Sequence, residues 1–499
     1  MQKSSLFRPK LFWWGIVLFF ILLGTGIRLY DLTDLPNDFH PVRQWRAVLI
    51  ARGMFYQHME SAPQWQRDLA VAQWQGEGVI EPPVLEWITA LVYRVAGQEV
   101  LWFPRALSAL AWVSAGIAVL LIGRAFGFAD GGVIALVYFL FLRYGMFASR
   151  TFMPDPLMVA LMAWSLWAAV RWQQTRTMTF AGWAGLLAGL AIFVKSVAVF
   201  MMGAAFVGLV LAGSGLRRAV RDKQVWAIAI LSALPTALYY VYGLFIAGFL
   251  NQQLKFRFFP EMWRDPAFYI RWEDMATDTV GVGAFLAAIA GLLLLKKRSQ
   301  RGLLAGLWLG YAAYSLTFPY HTITHDYYQL PLILIVAVSL IPVLGILANK
   351  LADSRWNQIV IAGLLLFGVF FRVWDVRVVL AGKDYRPEAA EWAAYAEYFE
   401  PGDKIAAISQ TYGYPLRYFA WLDANIWLND IDLTLRDLAG YDTDAVVDAR
   451  LEALEGKDYF LVTQMNVLNE QRELKAFLSD FPVIADGDGF VIYDLKPEN

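Results

Sequence analysis

The chain has 499 residues, 58% hydrophobic and 16% aromatic, with a formal net charge of −1. No ordinary soluble domain of this length combines that composition with a positive mean hydropathy, so the sequence reads as an integral membrane protein. Cysteine is absent, which excludes a disulfide framework, a thiolate metal site and a cysteine nucleophile.

A short basic start carrying Lys3, Arg8 and Lys10 leads into an apolar run at 11–27. No small-residue cleavage site follows it, so this run is expected to be retained as a first span. Further apolar runs fall near 105–123, 131–148, 156–172, 226–248, 280–295, 302–319, 331–349 and 357–374, each near the ~20 residues that cross a bilayer as a helix. The stretch at 180–213 is too long for one span and is interrupted by Lys195-Ser196. Basic residues flank it on both sides, Arg171 and Arg176 before, Arg217, Arg218, Arg221 and Lys223 after. The positive-inside rule puts both flanks in the cytoplasm, so two short helices should meet near Lys195. The total becomes about eleven transmembrane helices, with the N-terminus, Lys296-Lys297-Arg298, Lys350 and Arg355 inside and the C-terminus outside.

Three segments then lie on the extracytoplasmic face: the loop 28–104, the loop near 249–279, and the tail. The first contains Trp45–Phe55, whose apolar residues alternate with Arg46 and Arg52, a pattern for a helix lying in the interface plane. The second runs Phe256-Arg257-Phe258-Phe259-Pro260-Glu261-Met262-Trp263-Arg264, in the manner of an aromatic interfacial belt. Over the last ~120 residues acids outnumber bases about twofold. There Lys404–Ser409, Tyr459–Thr463 and Phe490–Tyr493 read as short strands between helical patterns at Arg386–Phe399 and Asn469–Leu478. The chain thus divides into a transmembrane domain over 1–374, carrying the loop 28–104, and a soluble extracytoplasmic α/β domain over 375–499. No glycine-rich phosphate loop follows any of these strands.

The polar residues that stand out gather on the outer side. Asp38 and His40 sit in Asp38-Phe39-His40-Pro41-Val42-Arg43-Gln44 just after the first span; Asp38 suits a general base near a low-dielectric boundary, or a helix cap. Glu81 precedes Pro82-Pro83, which stiffen the chain and hold the carboxylate in place, or simply start the next helix. Asp155, in Arg150-Thr151-Phe152-Met153-Pro154-Asp155-Pro156, has the local sequence of a helix start, with Arg150 near enough to pair with it or with a phosphate. Lys195 inside an apolar stretch calls for an anion, such as a lipid phosphate, unless it snorkels. His321 and His325, followed by Tyr327 and Tyr328, suit phosphate or sugar hydroxyls, and their i, i+4 spacing leaves room for a metal on a helix.

In order, Ile50-Ala51-Arg52-Gly53-Met54, Glu81-Pro82-Pro83-Val84-Leu85-Glu86-Trp87, Arg105-Ala106-Leu107-Ser108-Ala109-Leu110, Asp155-Pro156-Leu157, Lys195 and Tyr327-Tyr328-Gln329-Leu330-Pro331 resemble the landmarks of the GT-C superfamily. The branch is that of bacterial aminoarabinose transferases and protein O-mannosyltransferases, families 39 and 83 of the glycosyltransferases. The likeness covers the membrane region to about residue 350. The family usually carries an acidic pair just before the Ile-Ala-Arg landmark, and this chain has Arg43-Gln44 there. The resemblance implies transfer of a hexosyl or pentosyl group from a polyprenyl-phosphate donor to a lipid, glycan or protein acceptor, at the extracytoplasmic face of the plasma (inner) membrane, with inversion. It implies Asp38 or Glu81 as the catalytic carboxylate. His40, Arg43, Arg150, Asp155, Lys195, His321, His325, Tyr327 and Tyr328 become substrate-binding candidates. No cofactor is required, with room for a divalent metal near His325, and no nucleic acid is involved. Two readings of other kinds compete: a lipid-linked sugar flippase or secondary transporter, against which the polar motifs gather on one face only, and a non-catalytic membrane scaffold.

Overall fold

The computed structural model describes residues 10–78, 81–250, 258–352, 354–400 and 402–496. Lys3, Arg8, Phe256 and Arg257 lie outside the described residues. The chain forms two compact units: Met1–Thr33, Val79–Leu85 and Trp102–Lys383 in one, and Asp34–Gly78, Glu86–Leu101 and Asp384–Asn499 in the other. The second unit therefore takes in two pieces of the loop 28–104 as well as the C-terminal region.

The first unit is helical. Each apolar run contains a helix, from Lys10–Leu29 through Trp102–Phe126, Ala129–Phe141, Pro154–Thr175, Lys223–Val241, Val282–Leu294, Arg298–Thr317 and Leu330–Leu351 to Arg355–Ala381. Among the described residues four helices are long and apolar enough to cross a membrane alone: Trp102–Phe126, Lys223–Ile246, Asp326–Leu351 and Arg355–Ala381. Pro266–Val280 and Val282–Leu294, bent by 93°, make a fifth if counted together. Other runs are interrupted. The run at 131–148 breaks at Leu142, which is extended (φ −65°, ψ 125°), and a 13-residue helix such as Ala129–Phe141 spans only ~20 Å.

The stretch 180–213 forms Met178–Val194 and Ala198–Ser214, two helices that meet at Lys195. Helix Ala198–Ser214 lies against Arg298–Thr317 so closely that a Cβ on Gly208 would stand 2.0 Å from the Gly302 carbonyl oxygen. Backbones approach in this way when small residues line both helices, which lets dispersion replace the missing hydrophobic drive in lipid.

The second unit is built on a five-stranded mixed sheet: β1 (Ile405–Ile408), β2 (Ala424–Ile426), β3 (Tyr459–Val462), β4 (Val483–Gly487) and β5 (Phe490–Asp494), in the order β2-β1-β3-β5-β4. Strands β2 and β3 both run parallel to β1, while β5 is antiparallel to β3 and forms a hairpin with β4. Strand β1 is apolar at every position and buried throughout, as a central strand covered on both faces must be. Ile408, Phe460 and Val462 pack with Leu474 and Leu478 on one face; Ile405, Ala407, Leu461 and Ile492 pack with Leu416 on the other.

Helix Pro41–Tyr56 also belongs to this unit, and it does not lie half-exposed in an interface. Apart from the half-buried Arg46, residues Gln44 through Phe55 are buried, and Arg52 turns inward. Its Nε donates to Glu99 Oε1 at 3.0 Å and its Nη1 to the Tyr418 carbonyl at 2.6 Å. An arginine satisfied this way no longer needs water, and the alternation that suggested an interfacial helix loses its meaning.

Candidate active site

Of the candidate residues, Glu81, Asp155, Lys195, His321, His325, Tyr327 and Tyr328 come together in the helical unit. The helix Met178–Val194 ends where Lys195 turns to an extended conformation (φ −151°, ψ 112°), and the lysine is 3% exposed. Its Nζ donates to Asp155 Oδ1 at 2.6 Å. Asp155 stands in the first turn of Pro154–Thr175, where the helix N-terminus favours a carboxylate. The anion that the buried lysine demanded is thus first of all a protein carboxylate. Asp155 itself is 1% exposed, and its Oδ2 is buried with no hydrogen bond among the described residues, so an acceptor position is left for an incoming donor group.

Lys195 Nζ also lies 5.1 Å from the ring centroids of Tyr327 and of Tyr328, within reach of their negative faces. Both tyrosines belong to the single turn Asp326–Gln329 that opens Leu330–Leu351. The His321 ring stacks on those of His325 (5.5 Å, 28°) and Tyr328 (5.4 Å, 26°). Stacked rings hold the two imidazoles face to face rather than converging on one point. Among the described residues no three His, Asp or Glu side chains gather as a metal would require. Beside Lys195, Ser196 Oγ donates to Glu81 Oε1 at 3.5 Å, which brings the diproline glutamate to the same helix break. Two residues that sequence reasoning passed over complete this cluster, Ser196 and Tyr314, whose ring stacks on Tyr328 at 5.9 Å and 7°. Only adjacency to Lys195 could have pointed to Ser196, and nothing local pointed to Tyr314.

Arg150 is 1% exposed and belongs to a different set of contacts in the same unit. Its Nη2 donates to the Asp31 carbonyl at 3.2 Å and its own carbonyl accepts from Arg105 Nε at 3.2 Å. It fixes the segment that follows the first helix.

Asp38, His40 and Arg43 lie in the sheet-bearing unit, on the turn that starts Pro41–Tyr56. His40 is left-handed (φ 43°) and its ring meets Phe39 edge-on at 4.6 Å. The turn is tied by Gln44, whose Nε2 donates to the carbonyls of Phe39 (2.6 Å) and Pro36 (3.1 Å), and by Trp45 Nε1 donating to Asn37 Oδ1 at 2.7 Å. Gln44 is 0% exposed. A carboxylate at that position would have no hydrogen to donate to those carbonyls, which gives a physical reason for glutamine in the slot where the resemblance places an acid.

Residues 80–241 match the family model described as dolichyl-phosphate-mannose-protein mannosyltransferase. No curated protein sequence matches the chain. Among solved structures, the chain is similar to ArnT from Cupriavidus metallidurans bound to undecaprenyl phosphate, at 14% identity and a TM-score of 0.62, over 97% of this chain and 98% of that one. It is also similar to the archaeal oligosaccharyltransferase AglB from Archaeoglobus fulgidus in complex with an inhibitory peptide and a dolichol-phosphate. There the identity is 12% and the TM-score 0.55, over 98% of this chain and 75% of that one. The ordered landmarks, the match over 80–241 and the likeness of fold along nearly the whole chain agree, and the protein resembles the GT-C superfamily in architecture.

Proposed function

We propose that this chain is a membrane glycosyltransferase that moves a hexosyl or pentosyl group from a polyprenyl-phosphate donor to an acceptor hydroxyl or amine. In this reading about eleven helices cross the plasma (inner) membrane with the N-terminus cytoplasmic. The sheet-bearing unit stands on the extracytoplasmic face, where a lipid, glycan or protein acceptor is met. The observation that carries it is the buried Lys195 held by Asp155 under Tyr327 and Tyr328, beside Glu81. That places a cation, carboxylates and aromatic faces in otherwise apolar surroundings. The likeness to an ArnT structure bound to undecaprenyl phosphate supports the choice of donor.

The chemistry follows from the leaving group. A polyprenyl phosphate departs as an anion without protonation, so the site needs one base and a source of positive charge. Asp38 takes the acceptor proton, with Glu81 as its rival; the acceptor atom bonds to the anomeric carbon as the bond from that carbon to the phosphate oxygen breaks. The electron pair leaves on the phosphate, and attack from the opposite face inverts the centre. Lys195 has two further ammonium hydrogens besides the one given to Asp155, and with Arg43 or Arg150 it offsets the charge. His40, His321 and His325 offer donors to sugar hydroxyls or phosphate. The reaction is proposed to need no metal, so chelator-treated protein should keep its rate.

The test uses purified protein in nanodiscs with polyprenyl-phosphate hexose and aminopentose donors and a mixed acceptor pool. Released polyprenyl phosphate is the signal, and Asp38→Asn should abolish it. Unchanged turnover in that variant moves the base to Glu81. No release from any donor overturns the reading.

A further inference from the structure

We infer that the sheet-bearing unit holds a binding crevice for a neutral sugar ring at the carboxyl ends of its parallel strands. The chain leaves β1 toward β2 on one side, then crosses to β3 on the other. In an open sheet such a reversal opens a crevice beyond the carboxyl ends of the strands, between connections that depart in opposite directions. A hollow of about 140 Å3 lies there, lined by Ser409, Thr411, Tyr412, Trp427, Asn429 and Gln464, with Ile408 and Ile426 from the strand ends.

The backbone around it is held in an uncommon conformation. Directly after β1, Thr411 (φ 54°) and Tyr412 (φ 53°) are left-handed, followed by Gly413 (φ 63°). Two successive residues with side chains rarely adopt this region without a purpose, and such strain concentrates at binding sites. The surrounding bonds hold it there. Gln410 Nε2 donates to the Thr463 carbonyl at 2.7 Å, and Thr463 Oγ1 donates to Ser409 Oγ at 3.1 Å, joining the ends of β1 and β3. The Tyr412 hydroxyl donates to Asp432 Oδ1 at 3.2 Å.

The lining sets the ligand's chemistry. It has hydroxyls, side-chain amides and an indole, and no charged side chain among its residues, so an anionic headgroup or nucleotide finds no counter-charge. Hydroxyls and amides beside aromatic and aliphatic surfaces suit a pyranose, which has polar edges and apolar faces. The hollow holds roughly five waters at ~30 Å3 each, so it takes one face and edge of a hexopyranose and leaves the rest of the ring in solvent. Val42, in the first turn of helix Pro41–Tyr56 and four residues after Asp38, also lines it. Resting on the reading of the chain as a glycosyltransferase, the sugar is a ring of the acceptor.

The experiment is saturation-transfer NMR on the full chain in nanodiscs, without any polyprenyl-phosphate donor. The probes are methyl pyranosides of glucose, mannose, galactose and N-acetylglucosamine. At least one should show transfer. Val467 also lines the hollow, so Val467→Trp, which fills it, should abolish the transfer, and Gln464→Leu should weaken it about tenfold. Thr411→Gly should raise the melting temperature while weakening binding. Transfer that persists unchanged in Val467→Trp and in Gln464→Leu, transfer from none of the glycosides, or displacement by a neutral tripeptide but by no second sugar each overturns the crevice. The two readings fail separately, because glycoside binding by a chain that transfers no sugar leaves the crevice standing, while an empty crevice in an active chain removes only the crevice.

Discussion

Lys195 Nζ and Asp155 Oδ1 are 2.6 Å apart, and the two side chains are 4% and 1% exposed. The pair joins the break between Met178–Val194 and Ala198–Ser214 to the first turn of Pro154–Thr175. Removing one partner strands the other charge in the interior, which costs about 3–5 kcal/mol, whereas removing both removes the problem as well as the bond. Asp155→Asn and Lys195→Met should each lower stability by that order, and the double variant Asp155→Leu with Lys195→Met should recover part of the loss. A double-variant cycle in reversible denaturation would measure the coupling. A sum that adds without coupling would mean that the contact contributes nothing.

A second buried pair holds the other unit. Arg52 and Glu99 are 4% and 13% exposed, and the Arg52 guanidinium lies 3.4 Å from the Tyr418 ring centroid. Arg52→Lys keeps the charge but loses the planar stacking and the second donor, so it is expected to cost about 1–3 kcal/mol. Thermal melting of the full chain, read by the near-ultraviolet signal of its aromatic residues, would report it. A melting temperature equal to that of the parent protein would show that the fork geometry is dispensable.

The parts legible in the sequence were those that a period or a charge encodes. Apolar length marked the helices, and Lys195 marked the break within 180–213, because a lysine there cannot be left in hydrocarbon. Continuous apolar runs gave β1, β3 and β5. Strand β2 is three residues long and β4 exposes Val483 and Ile484, so neither carries a buried run to recognise. The partner of Lys195 was legible only as a requirement for an anion, since Asp155 is 40 residues away and its local sequence is also that of any helix start. For Trp45–Phe55 the pattern misled, because the arginine that implied a wet face is matched by a glutamate 47 residues later.

Tyrosines in the sheet-bearing unit give its stability an alkaline limit. Burial, and next the Glu99 carboxylate, push the Tyr418 phenol well above its ordinary value; its hydroxyl donates to Glu99 Oε2 at 2.8 Å. Burial and then Glu77 push Tyr414 up in the same sense. A folded pKa above the unfolded one means that the stabilisation is complete below about pH 10, where the unfolded phenol is still protonated, and fades as pH rises past it. Melting temperatures should therefore be level in this respect up to about pH 10 and fall above it. Tyr418→Phe should start about 1 kcal/mol lower through the lost hydrogen bond and fall less steeply. An identical alkaline slope in parent and variant would assign the limit to other groups.

The helix contact at Gly208 and Gly302 leaves no room for added bulk. A Cβ on Gly208 would stand 2.0 Å from the Gly302 carbonyl oxygen, and one on Gly306 would stand 2.1 Å from the Ala204 carbonyl oxygen. The obstructing atoms are backbone, so no side-chain rotation relieves either clash; the helices Ala198–Ser214 and Arg298–Thr317 must separate along their length. Separation gives up dispersion that lipid tails replace imperfectly, and it disturbs the same helix whose start lies beside Lys195. Gly208→Val and Gly306→Val should each lose several kcal/mol, as overpacked cores do at the upper end of ~1–3 kcal/mol or beyond, and yield little monodisperse protein after detergent extraction. Gly203→Val on the same helix, with open space around its Cβ position, is the control and should extract normally. Equal yields from all three variants would show that the close approach carries no weight in holding the unit together.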